Sequence, residues 1–102
     1  MSGAVYVLEA GPYVKIGRTR CTLADAAVAV ERRRRAIQGN CPLPLATLYH
    51  VFVSDPAAIE WSMHQYFAEY RIRQTEFFEL PSKARYHLAQ RLGYLDESRR
   101  RV

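Results

Sequence analysis

Acidic side chains are under-represented in this chain of 102 residues, with ten Asp and Glu against fifteen Lys and Arg. The net charge of +5 and a pI near 9.6 disfavour a basic or cationic partner and favour a polyanion, nucleic acid in the simplest case. A basic surface with no such role is the plainer alternative. Cysteine is scarcer still: Cys21 and Cys41 stand alone, without a Cys-x-x-Cys or His-x-x-x-His companion. That excludes a disulfide framework and argues against a zinc site, so both are read as free thiols and a cytoplasmic location is expected. No apolar run approaches the ~20 residues of a membrane span. The N-terminus lacks the basic start and apolar stretch of a signal peptide. Internal repeats, low-complexity tracts and linkers are also missing.

What remains is an ordinary globular composition, 49% hydrophobic and 25% charged, which argues against disorder. The length suits one domain with a modest core. Residues 3–9 and 13–19 are rich in Val, Ile and Tyr around an Ala10-Gly11-Pro12 turn signal, and so predict a β-hairpin. Thr22 and Asp25 resemble a capping box, which predicts a helix from Leu23. Leu23, Ala27, Val30 and Ile37 form its apolar face, and Gly39-Asn40 before Pro42 ends it. Leu45 to Val53 is expected as a third strand. Asp55 as N-cap and Pro56 at the first position open a second helix, with a core stripe of Ile59, Met63, Tyr66 or Phe67, and Tyr70. Glu76-Phe77-Phe78 is expected in a loop. Ser82 is expected to cap a third helix with Ala84, Leu88, Leu92 and Leu95 inward. The expected fold is therefore α+β, a small three-stranded antiparallel sheet flanked by helices in the order ββαβαα. Residues 1–95 form the domain and 96–102 a charged, loose tail.

Several polar residues sit where packing alone would not place them. Glu60 and His64 are one turn apart and share a helix face at the margin of the apolar stripe. A solvated pair is one reading. The other is a carboxylate for a hard divalent cation, since Mg²⁺ commonly uses one or two protein carboxylates with water and substrate phosphate. Tyr6, central in the first strand, is by itself a core tyrosine; its phenol could act as a base only beside cations, and Lys15 across the hairpin supplies one. Arg18 could do likewise or contact phosphate. Arg32 to Arg35 would suit a solvated helix end, yet the stripe through Ala26, Val30 and Ile37 passes between positions 33 and 34, so at least one arginine is expected to point towards the sheet. Stabilising a phosphorane is a role that guanidinium geometry suits.

Taken in order, these residues resemble the GIY-YIG endonuclease superfamily, in the branch named for a phage T5 open reading frame and a fungal meiotic gene product. The resemblance runs from Val5 to Leu80 and rests on Tyr6, Lys15 to Thr19, Arg33 to Gln38, Pro42, the strand from Leu45, Glu60 with His64, Phe67, Arg71 and Glu76-Phe77-Phe78. It implies a DNA endonuclease working with one divalent metal, Mg²⁺ or Mn²⁺. It implies Tyr6 as the base that activates water, Arg33 as electrostatic stabiliser, Glu60 as sole protein metal ligand and His64 as an orienting or auxiliary group. Arg18, Thr19, Arg20, Arg34 and Arg71 would contact nucleic acid. The chain departs from the superfamily in Val5-Tyr6-Val7, which lacks the first glycine, and in Lys15, which replaces the second motif's tyrosine as this branch generally does. Arg34 could substitute for Arg33. A non-catalytic nucleic-acid-binding module of the same fold is the main rival, and sequence specificity would need the domain itself, an oligomer or a protein partner.

Overall fold

Apolar residues run without alternation from Ala4 to Leu8, a pattern expected of a strand covered on both faces. In the computed structural model, which describes residues 1–98, this run is the interior of β1 (Gly3–Ala10), and nearly every residue in it is buried. It pairs antiparallel with β2 (Tyr13–Arg20) on one side and β3 (Ala46–Val53) on the other. Gly11 makes the hairpin turn at φ 58°, a left-handed conformation that glycine adopts without Cβ strain.

The expectation of three strands needs correcting. A fourth, β4 (Phe77–Phe78), pairs with β2 through Val14 opposite Phe78 and Lys15 opposite Phe77, giving the antiparallel order β3-β1-β2-β4. Two residues are too few for periodicity to register, and tertiary pairing creates this strand.

α1 (Ala26–Gln38) covers one face of the sheet, closing a core of Ala4, Tyr6, Leu8, Ala10, Val30 and Leu45. α2 (Pro56–Tyr66) and α3 (Ser82–Leu95) cover the other over Val5, Val7, Ile16, Val51, Met63, Phe67, Phe78, Leu88 and Leu92. The Thr22–Asp25 reciprocal bonds form, with the Thr22 N–H donating to Asp25 Oδ1 at 2.8 Å, but the helix starts only at Ala26. Leu23 and Ala27 are exposed, whereas Val30 is buried as expected, together with Ala26, and Ile37 packs against the same core. Asp55 caps α2 as expected, accepting from the Ala58 N–H at 3.2 Å. Phe67, not Tyr66, completes the α2 core contact. Pro81 rather than Ser82 precedes α3 and gives no side-chain cap.

The chain does not come loose at Asp96, as the charged tail suggested. The Phe52 N–H donates to Asp96 Oδ1 at 3.1 Å, the Glu97 N–H donates to the Phe52 carbonyl at 2.7 Å, and the Ser54 N–H donates to Glu97 Oε2 at 2.9 Å. The remainder of the tail, 99–102, lies outside the described residues.

Candidate active site

Antiparallel pairing sets opposed residues on one face, so the register Tyr6 to Gly17 and Leu8 to Lys15 puts Tyr6 and Lys15 together on the α1 side. The Tyr6 ring lies across β2 directly over Gly17. A Cβ at residue 17 would come within 2.5 Å of Tyr6 Cζ and of its hydroxyl, so only glycine leaves the ring its place. Tyr6 is 1% exposed, yet its hydroxyl bonds to no described residue and still reaches solvent. A buried phenol normally finds a partner. This one is held in place by packing against Gly17.

Lys15, also buried, pairs with the Glu76 carboxylate and lies 5.9 Å from the centroid of the Phe77 ring. Glu76 enters because β4 brings residue 76 alongside β2, with the Ile16 N–H donating to the Glu76 carbonyl at 3.3 Å. Burial alone would raise the Glu76 carboxyl. The hydrogen bond from Lys15 and the charges of Lys15, His64 and Arg18 outweigh it and hold the carboxyl below its ordinary value. From the sequence, Glu76 entered only as part of the Glu76-Phe77-Phe78 match. The available signal was Lys15 itself, since a lysine in the middle of a buried strand requires a counter-charge.

Glu60 and His64 approach from the opposite face. Both are buried, and their i, i+4 spacing aims them together at β2. Arg18 Nη1 donates to Glu60 Oε1 at 2.7 Å, while Oε2 bonds to no described residue. His64 Nε2 donates to the Ile16 carbonyl at 2.9 Å, and its ring meets Phe78 edge-on with centroids 5.1 Å apart. A carbonyl oxygen only accepts, so Nε2 carries a proton in this bond. The two groups, Tyr6 with Lys15 and Glu60 with His64, thus straddle the edge of β2, and Glu76 is electrostatically coupled to both sides.

The arginines divide clearly. Arg34 donates from Nε and Nη2 to the two Glu31 oxygens at 2.8 and 2.7 Å, and from Nη1 to the Leu45 carbonyl. Arg35 shares Glu31. Hydrogen bonds from both lower the Glu31 carboxyl to about 2, so Arg34 is already engaged in the fold. Arg33 is exposed, pairs with no described carboxylate, and lines a concavity with Ile37, Cys41 and Phe77 on the Lys15 side. Arg18, Thr19 and Arg20 line another concavity beside Asp55 and Pro56. Arg71 donates from Nε to the Thr75 carbonyl at 2.6 Å and braces the turn before β4.

Among the described residues no three His, Cys, Asp or Glu side chains form a metal-holding group. Glu60 is compatible with a site of a different kind, one carboxylate completed by water and phosphate, because one of its oxygens is unengaged beside a basic surface. No described helix is long and apolar enough to cross a membrane. A family model described as the T5orf172 domain matches residues 3–93. No curated protein and no solved structure matches the chain.

Proposed function

The chain belongs to the T5orf172 domain family, whose place is in the GIY-YIG-like nuclease group, and from that premise we propose that it hydrolyses DNA phosphodiester bonds with one divalent metal ion. The observation that carries this reading is the Tyr6 hydroxyl, packed over Gly17 on the same face as Lys15 and without a hydrogen-bond partner among the described residues. In this reading Tyr6 accepts the proton of an attacking water, with the Lys15 ammonium on the same face of the sheet. Glu76 shares the ammonium and holds it at the strand edge. Arg33, exposed and paired with no described carboxylate, receives the charge that develops on the phosphoryl oxygens. Glu60 would hold Mg²⁺ or Mn²⁺ through Oε2, and His64, fixed on the Ile16 carbonyl, keeps α2 and hence Glu60 against β2. The bound ion would supply Lewis-acid stabilisation of the phosphate and the leaving 3′ oxygen. Arg18, Thr19 and Arg20 suit flanking phosphates.

A second reading has one specific observation behind it. Arg18 closes one Glu60 oxygen, and a carboxylate satisfied by a guanidinium is a poorer cation ligand. The same fold would then bind nucleic acid without cutting it. Nicking of supercoiled plasmid with Mg²⁺ or Mn²⁺ separates the two. Metal-dependent nicking is expected, with Tyr6→Phe and Glu60→Ala each reducing the rate at least about a hundredfold, the scale of a lost general base. Cleavage that survives Glu60→Ala removes the metal assignment, and DNA binding without cleavage under any metal favours the binding module.

A further inference from the structure

The exposed aromatic rings are confined to one part of the molecule. Among the described residues four aromatics stand largely in solvent, Trp61, Tyr66, Tyr86 and Tyr94, and all four rise from α2 or α3. α3 buries Ala84, Leu88 and Leu92, and the surface that runs from the margin of this stripe, through half-buried His87, round to solvent is free of acidic residues. That surface carries two rows at helical spacing: Lys83, His87 and Arg91, and beside them Tyr86, Gln90 and Tyr94. Tyr86 and Tyr94 are 63% and 85% exposed, too open for core residues. α3 contains no Asp or Glu, and its remaining cation, Arg85, is turned away to Glu9 and the Pro12 carbonyl.

The rows border a groove of about 620 Å³ between α2 and α3, lined by Ile59, Ser62 and Met63 from one helix and Arg91, Tyr94 and Leu95 from the other. The Arg91 guanidinium lies 3.8 Å from the centroid of the Tyr66 ring and pairs with no described carboxylate. A guanidinium stacked this way keeps its N–H groups for an anion. Gln90 Nε2 donates to the Tyr86 hydroxyl at 3.3 Å, which helps set the ring's orientation. Tyr86 and Tyr94 are eight residues apart, about 12 Å along the axis.

Ring faces beside a row that carries Lys83 and Arg91 and no carboxylate match an unpaired nucleic-acid strand, whose bases stack on aromatics while its phosphates meet cations. A duplex keeps its bases stacked on one another and has less use for such rings. We propose that the solvent face of α3, with the α2–α3 groove, is a second nucleic-acid contact that takes single-stranded DNA, bases on Tyr86 and Tyr94 and phosphates on Lys83, His87 and Arg91. It rests on the nuclease reading and narrows its substrate class to DNA with an unpaired stretch outside the cleavage site.

Fluorescence anisotropy of the full chain with labelled oligo(dT) and a matched blunt duplex, in EDTA so that cleavage plays no part, tests this. The Tyr86→Ala/Tyr94→Ala variant is expected to weaken oligo(dT) binding by roughly tenfold or more and duplex binding by less than about threefold. Tyr86→Phe/Tyr94→Phe keeps the ring faces and should stay within about twofold of the parent. Lys83→Gln/Arg91→Gln should flatten the salt dependence of oligo(dT) binding by about 1.4 in log–log slope, the contribution of two phosphates. Unchanged binding in the alanine variant, an equal loss on duplex, or the same loss in the phenylalanine variant overturns the proposal. So does intact DNA binding accompanied by lost self-association in sedimentation, which would make this face a protein interface. A chain that binds oligo(dT) in this way yet cuts nothing leaves the contact standing and removes the nuclease reading. Plasmid nicking with oligo(dT) binding unaffected by the tyrosine changes does the reverse.

Discussion

The α-carbon of Gly17 sits against the Tyr6 ring, and one methyl group there collides with the phenol at 2.5 Å. Rigid strands on both sides leave the ring little room to yield, because β1 is buried and paired along both edges. Gly17→Ala is expected to cost about 1–3 kcal/mol, the range of an overpacked core, as measured by urea denaturation. In a Tyr6→Ala background most of that cost should disappear, since the colliding atoms are gone, and a double-mutant cycle reads the difference as coupling. Additive effects would mean that the ring is not what the glycine accommodates. Tyr6, Lys15, Glu60 and His64 were legible in the sequence as residue types. The open state of the Tyr6 hydroxyl was not, because a pattern of apolar residues cannot tell a satisfied phenol from a bare one.

β4 shows what a short element can do. It contributes two residues to the sheet, yet it buries Phe78, braces His64 and delivers Glu76 to Lys15. The folded Glu76 carboxyl lies below its ordinary value of 4.5, so the stability that its ionised form contributes is fully present above about pH 4.5 and is lost as pH falls through the lower folded value. The stability difference between the parent and Glu76→Gln should therefore be constant near neutrality and shrink through the acid range, as followed by denaturant melts at stepped pH. A difference that grows on acidification would contradict the pairing. The longer elements were readable beforehand, because hairpin alternation, the Asp55-Pro56 start and the α3 stripe each repeat a signal over many residues. β4 repeats nothing, and α1 begins late because the Thr22–Asp25 bonds close a turn ahead of the helix. Arg33 and Arg34 are adjacent in sequence, and only the position of Glu31 and the Leu45 carbonyl separates the engaged guanidinium from the one that pairs with no described carboxylate.

At the scale of the molecule, a net charge of +5 over 102 residues makes any polyanion contact strongly salt-dependent. If about five phosphates are engaged, duplex affinity in EDTA should fall with a log–log slope near −4 to −5, on the order of 10² to 10³ between 50 and 200 mM salt. A slope near zero would exclude the phosphate backbone as the principal ligand. Charge of this kind was plain from composition, whereas its division between the β2 edge and the α3 face required the fold. The hydrogen bonds of Asp96 and Glu97 to β3 have a further consequence. β3 is an outer strand of the sheet, and the outward groups of Phe52 and Ser54 are already taken by the chain's own carboxylates and backbone. On the far side, His64 occupies the Ile16 carbonyl where β4 stops. Both margins are thus denied to a foreign strand at these positions, which removes two places where one copy could extend the sheet of another.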